Sequence, residues 1–184
     1  MTRWDRSRFA VAAPLLAAIA FAAGCHTRPA ATATAVFLVR HAEKVADMPD
    51  PPLSDEGRAR ARALAHALSD AGIDVIYSTE FARTRQTAQA VSEVTGLDVR
   101  IFPVGESTVD AFIDGLAREI LERQAGRTVL VVGHSNTVPA LARALGATEA
   151  ADLTEKDYDD LFLVELTQTG AVRLLRLHYG ERSP

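Results

Sequence analysis

The chain has 184 residues, a formal net charge of -4, 48% hydrophobic residues and a single cysteine. One cysteine excludes an internal disulfide framework, so a hydrophobic core must stabilise the fold. The acidic balance excludes nucleic-acid binding through bulk charge, and an anionic substrate would therefore need a local basic pocket. The globular part, from about Ala35 to Tyr179, has the length of one domain.

The first 24 residues are typical of a secretory signal peptide. Arg3, Arg6 and Arg8 precede an apolar stretch from Phe9 to Ala23, which is too short and too rich in alanine for a comfortable membrane span. Removing residues 1–24 takes away three arginines and one aspartate, so the formal charge would fall from -4 to -6.

The end of this segment, Phe21-Ala22-Ala23-Gly24-Cys25, resembles a bacterial lipobox. The resemblance implies cleavage before Cys25, a diacylglycerol on its thiol and an acylated new amino terminus, which together give stable membrane anchoring. An ordinary signal peptide with Cys25 as a free thiol is the alternative. We therefore expect an exported protein, lipid-anchored in a bacterial cell envelope on its periplasmic side or outer surface.

Four segments follow from these features. We expect a signal peptide over residues 1–24, a lipidated cysteine and flexible tether over 25–34, a globular domain over 35–179 and a tail over 180–184. The tether is expected to be disordered because alanine and threonine dominate it and it offers little surface to bury.

The globular part begins with an apolar run, Val36 to Val39, that predicts a strand buried on both faces. Arg40 and His41 follow directly. A helix is predicted to begin near Ser54, which is suited to cap it, with acidic residues in its first turn. The next predicted elements are a strand near Val75–Tyr77, a helix near Glu80–Val94 capped by Ser78 or Thr79, a strand near Val99–Phe102 and a helix near Thr108–Arg123.

The second half of the chain again has an apolar strand followed by a histidine. A predicted strand, Thr128–Val132, runs into Gly133 and His134, and a helix is predicted from Thr137 to Leu145 with Ser135 as its cap. Two further strands, Leu161–Leu166 and Val172–Leu177, read as a closing hairpin. The alternation of strands and helices predicts a three-layer α/β/α sandwich with a mostly parallel central sheet and an antiparallel edge.

Reactive side chains lie at the ends of three predicted strands. Arg40 and His41 leave the first strand, Arg83 lies in the early turns of the helix after the second, and His134 leaves the fourth. Ligands of open α/β sheets bind at the carboxyl ends of the strands. Guanidinium groups hold a phosphoryl group with charge-assisted hydrogen bonds, and a neutral imidazole can attack phosphorus. The pattern predicts phosphoryl transfer through phosphohistidine.

The same residues carry a family resemblance. Leu38 to Glu43 resembles the signature strand and turn of the histidine phosphatase superfamily, which includes the phosphoglycerate mutases. Ser78 to Ala88 resembles its second motif, and Gly133-His134 its third. The resemblance spans roughly Ala35 to Tyr179 and implies the histidine phosphatase fold over that range. It also implies four site residues: His41 as nucleophile, with Arg40, Arg83 and His134 forming the phosphate pocket.

The family usually adds an acid that protonates the leaving oxygen. That acid lies between the second and third motifs or directly after the second histidine, where this chain has Ser135-Asn136 instead. Glu106 and Asp110 are the candidates in the intervening segment. We favour Glu106, because Pro103 and Gly105 place it in a loop where a strand should end, although it could equally be a residue at the entry of a helix.

Four other basic residues or histidines have no expected role in the site. We expect Arg85, two positions beyond Arg83, to face solvent, and we expect Lys44 to be a solvated loop residue. His66 and His178 are each isolated from the three motifs.

Two other enzyme classes fit less well. His41-Ala42-Glu43 has the His-x-Glu form of zinc deaminases, but these need a later Cys-x-x-Cys that the chain lacks, and arginines would repel a metal. Gly133 to Thr137 begins like the nucleophile elbow of serine hydrolases, but Thr137 stands where that motif has glycine.

The resulting hypothesis is a phosphomonoester hydrolase that needs no cofactor and no metal. Its partners would be a phosphorylated small molecule or a phosphorylated envelope component, and the membrane through the lipid anchor, but no nucleic acid. The alternatives are a lipoprotein that binds phospho-ligands without turnover, and a phosphomutase. Substrate choice would lie in loops such as Val45–Pro52 and Phe102–Val109, and the first of these is acidic and stiff.

Overall fold

The structure is a computed structural model that describes Met1 and residues 33–46 and 48–183. The expected signal peptide, Cys25 and most of the tether lie outside the described residues. The elements run in the order β1 (Ala33–Arg40), α1 (Asp55–Ala67), β2 (Val75–Ser78), α2 (Ala82–Thr95), β3 (Val99–Ile101), α3 (Val109–Arg123), β4 (Thr128–Gly133), α4 (Thr137–Ala144), β5 (Asp160–Thr167) and β6 (Val172–His178).

These strands form one sheet in the order β3-β2-β4-β1-β5-β6. The first four strands in that order are mutually parallel, whereas β5 runs antiparallel to β1 and β6 antiparallel to β5. The mostly parallel sheet with an antiparallel edge is confirmed. Strand β1 begins at Ala33, two residues before the expected domain boundary, because its pairing with β5 extends to Ala33 and Thr34.

Helices cover both faces of the sheet. One core cluster combines residues of α3 and α4 with inward positions of β1, β2 and β4, and a second combines α1 and α2 with the alternate positions of the same strands. Every residue of β4 is buried, as expected for a central strand covered on both sides. The predicted α/β/α sandwich is therefore confirmed. Among the residues that the structure describes, no helix is long and apolar enough to cross a membrane.

Two predicted helix caps are wrong. Neither Ser78 nor Thr79 caps α2, because that helix begins later, at Ala82. Phe81 occupies the cap position, and its side chain makes no capping hydrogen bond. The carboxylate of Asp50 instead accepts the Ala82 N–H at 2.9 Å, so a side chain from a distant loop closes this end of the helix. Such a cap has no local sequence signature.

Helix α4 departs from expectation in the same way. Asn136 occupies its cap position without a side-chain hydrogen bond, and the hydroxyl of Ser135 points elsewhere, to Glu155. The Thr137 hydroxyl accepts the N–H of His134 at 2.9 Å. Ser54 and Thr108, in contrast, cap α1 and α3 through their hydroxyls, as Ser54 was predicted to do.

Candidate functional site

Strand register brings the two histidines together. In the parallel pair of β1 and β4, Arg40 stands opposite Gly133, so the next residue of each strand leaves the sheet at the same place. The His41 N–H donates to the Gly133 carbonyl at 2.9 Å and extends this pairing by one bond. The rings of His41 and His134 meet edge to face with their centroids 5.5 Å apart.

The turn that carries His41 is held from two sides. The N–H of Ala42 donates to the Thr87 hydroxyl of α2 at 3.0 Å, and the carbonyl of Glu43 accepts the N–H of Ser54 at the start of α1. The turn itself is buried, with His41 only 4% exposed. The position of the imidazole is therefore fixed by both helices on this face of the sheet.

Hydrogen bonding assigns a role to each ring nitrogen of His41. Its Nδ1 lies 2.8 Å from the carbonyl oxygen of Ala42, and a carbonyl can only accept, so Nδ1 carries the proton. The lone pair is then on Nε2. A neutral imidazole held in this tautomer is ready to act as a nucleophile.

The ring of His134 is fixed by a chain of hydroxyl groups. Its Nε2 lies 3.1 Å from the Thr79 hydroxyl, which lies 2.7 Å from the Thr84 hydroxyl, and the Thr84 hydroxyl can donate to the Phe81 carbonyl at 2.9 Å. If each hydroxyl donates along this chain, Nε2 of His134 is the donor at its start. The Phe81 ring also packs edge to face on His134, with centroids 5.3 Å apart.

Both histidines are neutral over the physiological range. The pKa of His41 is lowered to about 3, chiefly by burial, and nearby His134, Arg40 and Arg83 act in the same direction while the bond to Ala42 opposes them. Burial likewise lowers the pKa of His134 to about 4, with Arg83 the next cause in the same direction. The low dielectric and the local positive charge both oppose a further cation.

Arg83 supplies positive charge to the cleft. Its guanidinium stacks 4.5 Å from the centre of the Phe81 ring, and its Nη1 lies 3.7 Å from the Asp50 carboxylate. Its Nε is buried without a hydrogen-bond partner among the described residues. A buried N–H of this kind costs free energy until an acceptor arrives, so the site is prepared for an anion.

Arg40 is held differently from Arg83. It is 1% exposed, and its Nη1 donates to the Thr154 carbonyl at 2.9 Å while its Nη2 donates to Glu155 Oε2 at 2.7 Å. The Tyr158 ring lies beneath the guanidinium, 4.0 Å from its carbon. Only Nε is without a partner within the described chain. Arg40 is not among the residues that line the cleft, so it places positive charge behind the site.

The walls of the site enclose an open cleft of roughly 310 Å³. Its lining includes three of the predicted site residues, His41, Arg83 and His134. The other lining residues are Lys44, Phe81, Val104, Val109, Ser135, Asn136, Thr137 and Glu155. The cleft has the size of a small-molecule site and combines apolar walls with a few convergent polar groups.

The proposed acid does not line this cleft. Glu106 is exposed in the turn between β3 and α3, and Asp110 is exposed in the first turn of α3, so the described lining includes neither. Arg85 is exposed, as predicted. His66 and His178 are exposed on α1 and β6, and Lys44, although exposed, lies at the edge of the cleft.

Sequence reasoning missed two acidic residues near the histidines. Glu80 accepts the N–H groups of Val104 and Gly105 at 2.8 and 3.0 Å and so ties the loop after β3 to the cleft. Burial opposes ionisation of Glu80, but these two bonds outweigh it and lower its pKa. Glu155 reaches the cleft from a segment more than 110 residues after Arg40, a separation that no local pattern bridges.

No metal ligands converge in this cleft among the described residues. Their single grouping of potential ligands is Asp159, Asp160 and His178, and Asp160 is already paired with Arg176 through bonds of 2.5 and 2.9 Å. That the reaction needs neither metal nor cofactor stays a prediction.

Comparison with known proteins agrees with this geometry. The family model described as "Histidine phosphatase superfamily (branch 1)" matches residues 36–104, which include most of β1, the His41 turn and the elements from α1 to β3. Phosphoserine phosphatase 1 of Hydrogenobacter thermophilus is 28% identical over 158 aligned residues, covering 60% of this chain and 75% of that protein. A probable phosphoglycerate mutase, GpmB of Serratia proteamaculans, is 35% identical over 71 residues, covering 35% of this chain. The chain spans only 33% of that mutase.

Solved structures share the fold. The protein histidine phosphatase SixA, solved with tungstate, superposes with a TM-score of 0.63 at 21% identity and covers 78% of this chain and 96% of its own. A mycobacterial glucosyl-3-phosphoglycerate phosphatase gives a TM-score of 0.59 at 19% identity, with coverages of 80% and 98%. At these identities the likeness concerns the fold alone.

Proposed function

Taking the histidine phosphatase superfamily as the family that the sequence match and the fold support, we propose that this chain hydrolyses phosphomonoesters through a phosphohistidine intermediate. One observation carries the proposal. The neutral imidazole of His41, with a free Nε2, and the guanidinium of Arg83, with a buried and unpartnered Nε, lie in the wall of one cleft beside the carboxyl ends of parallel strands.

The proposed reaction has two steps. Nε2 of His41 attacks phosphorus, and the bond from phosphorus to the alcohol oxygen breaks. Water then attacks the phosphohistidine, which releases phosphate and restores the neutral imidazole. Arg83 and the Nε of Arg40 would bind the equatorial oxygens, and His134 would join them by turning its Nε2 N–H from the Thr79 hydroxyl to the phosphate. Electrostatic stabilisation of the transition state would then supply most of the rate.

The low pKa of His41 suits this role. A nucleophile must be unprotonated, and burial keeps this imidazole neutral at neutral pH. After attack the phosphorylated ring bears positive charge, and the bond from Nδ1 to the Ala42 carbonyl would stabilise that charge.

The test is hydrolysis of 4-nitrophenyl phosphate by the full chain in detergent, with a chelator present. We expect turnover by the wild type, none by His41→Ala, and wild-type turnover by the control His66→Ala, which removes an exposed histidine of α1. Arg83→Ala should weaken both phosphate binding and catalysis. Equal rates for wild type and His41→Ala would refute the proposal, and vanadate binding without turnover would favour a binding lipoprotein.

A phosphomutase is the second candidate, because a probable phosphoglycerate mutase is 35% identical to this chain over 71 residues. The two activities share the phosphohistidine step and differ in the acceptor. Release of inorganic phosphate from a phosphorylated substrate identifies a hydrolase. Transfer to a second alcohol of the same molecule, without phosphate release, identifies a mutase.

Export and anchoring remain part of the proposal on sequence grounds alone. A charged start, an apolar stretch and Cys25 at a lipobox-like position support a lipoprotein. Metabolic labelling with a radioactive fatty acid tests it: the wild type should carry label in the membrane fraction and Cys25→Ser should not. Label-free wild type would favour an ordinary signal peptide.

A further inference from the structure

Glu155 is the one carboxylate in the wall of the cleft among the residues that the structure describes. It belongs to the connection between α4 and β5, residues 145–159, in which no sequence motif was found. Its side chain is 78% exposed, yet it bonds to residues beside both histidines. It therefore faces solvent and the site at once.

Two short bonds hold the carboxylate at this place. Oε2 accepts from Nη2 of Arg40 at 2.7 Å, and Oε1 accepts the Ser135 hydroxyl at 2.5 Å. Arg40 directly precedes His41, and Ser135 directly follows His134. The carboxylate thus spans the two turns that carry the histidines, on the open side of the cleft.

The other acids near the histidines are unsuited to deliver a proton. Glu80 is not among the residues that line the cleft, and its two oxygens accept the N–H groups of Val104 and Gly105 in the loop after β3. Glu106 and Asp110 lie outside the described cleft lining. A proton donor must reach the leaving oxygen directly or through one water, and Glu155 alone of these four lines the space where that oxygen would lie.

We propose that Glu155 is the catalytic acid that protonates the leaving alcohol. The assignment rests on the proposed hydrolase function. As the phosphorus–oxygen bond breaks and the bond to His41 Nε2 forms, the alcohol oxygen takes the proton of the Glu155 carboxyl. In the second step the resulting carboxylate accepts a proton from the attacking water, so the acid is regenerated.

The charge balance of the site explains how Glu155 can hold a proton when it is needed. In the free protein the Ser135 hydrogen bond is the largest cause that lowers the pKa of Glu155, and the charges of Arg40, Lys44 and His134 act with it against burial. A bound phosphoryl group neutralises the guanidinium and adds negative charge beside the carboxylate. Both changes favour the carboxylic acid, and a monoanionic ester brings the proton with it.

Leaving-group dependence tests this role. Phenolate from phenyl phosphate is a poorer leaving group than 4-nitrophenolate, so it depends more on protonation. For Glu155→Gln, which keeps the shape of the side chain, we expect kcat/KM to fall by about 10²-fold or more on phenyl phosphate, and by less than about tenfold on 4-nitrophenyl phosphate. Glu122→Gln, the same change at an exposed glutamate of α3, should leave both values and their ratio unaltered, and Glu106→Gln tests the rival candidate in the same assay.

Any other result of the leaving-group assay would contradict either the role of Glu155 or the hydrolase function. Equal losses on both esters would make Glu155 a residue that only positions Arg40. Unchanged turnover of Glu155→Gln with tighter vanadate binding would mean that Glu155 only competes with the anion for Arg40. If Glu106→Gln loses more kcat/KM on phenyl phosphate than on 4-nitrophenyl phosphate, Glu106 is the acid. An inactive wild type would overturn the hydrolase itself, whereas an active wild type with an unaltered ratio in Glu155→Gln overturns only the acid.

Discussion

The protonation of His41 sets the pH range in which the proposed nucleophile can act. An exposed imidazole has a pKa near 6.5 and would be about 97% protonated at pH 5. Burial lowers the pKa of His41 to about 3, so this ring stays neutral at pH 5 and above. The same burial that positions the ring therefore also widens its working range.

We expect kcat/KM not to fall as the pH is lowered from 7 to 5, after correction for ionisation of the substrate. This parameter reports the pKa values of the free enzyme, and a nucleophilic histidine of ordinary pKa would lower it about 25-fold over that range. Two aryl phosphates with different second pKa values should be compared, so that substrate titration is recognised by its shift. A break near pH 6.5 that is common to both esters would contradict the lowered pKa.

The backbone of α1 packs directly against the backbone of the His41 turn. Gly57 lies against Glu43, and a methyl group on Gly57 would come within 2.0 Å of the Glu43 carbonyl oxygen. The backbone of Gly57 is not in the left-handed region, so conformation does not require glycine there. Space requires it, because neither a helix nor a strand-end turn can move far in a packed domain.

Substituting this glycine should separate helix propensity from packing. Alanine is better than glycine in a helix by about 1 kcal/mol, but overpacking costs about 1–3 kcal/mol or more, so we expect Gly57→Ala to be destabilising and to lower turnover by displacing His41. The control is Gly115→Ala inside α3, where the nearest atom is a Phe102 side-chain carbon at 3.5 Å, an ordinary contact. That variant should be neutral or stabilised in urea unfolding. A stable, fully active Gly57→Ala would contradict the close approach.

The elements were predictable because their signals are local. Buried strands read as apolar runs, Ser54 marked the start of α1, and each predicted helix and strand was found within a few residues of its expected bounds. The mostly parallel pairing with an antiparallel edge also followed from the alternation of strands and helices, whereas the order of the strands in the sheet was not predicted.

Contacts between distant segments were not predictable in this way. The cap of α2 comes from Asp50, 32 residues earlier, and Arg40 is held by the segment around Glu155, 115 residues later. The family motifs nominated His41, Arg83 and His134, which the structure places in one cleft. They gave no means of finding Glu155, and the preference for Glu106 came from the order of the motifs and from Pro103 and Gly105 beside it.

At the scale of the whole molecule, a buried ion pair ties the site to both ends of the domain. Nε of Arg60 in α1 donates to Glu43 at 2.7 Å, and its Nη1 donates to the Glu181 carbonyl at 2.7 Å near the end of the chain. Arg60 is 5% exposed and Glu43 8%. Removing one partner of such a pair leaves an uncompensated buried charge, so the pair links the integrity of the His41 turn to the overall fold.

The two neutral histidines make the stability of the whole domain depend on pH. Their folded pKa values, about 3 and about 4, lie below the unfolded value near 6.5. Between these values the unfolded chain binds more protons than the folded protein does, so the free energy of unfolding rises with pH. The stability is fully present above the unfolded pKa and is lost as the pH falls below it, down to the folded pKa values.

We expect His41→Gln to lose less stability than the wild type between pH 7.5 and pH 5. With the pKa values above, each histidine makes unfolding easier by about 2 kcal/mol at pH 5, and glutamine is neutral at both pH values. Carboxylates contribute equally to both proteins, so the difference between their urea-unfolding free energies isolates the histidine. His66→Gln, at an exposed position on α1, is the matched control and should follow the wild type. If His41→Gln and wild type lose the same free energy, the imidazole is already protonated, or free to become so, in the folded protein. In that case the neutral nucleophile on which the proposed mechanism depends would have to form on substrate binding.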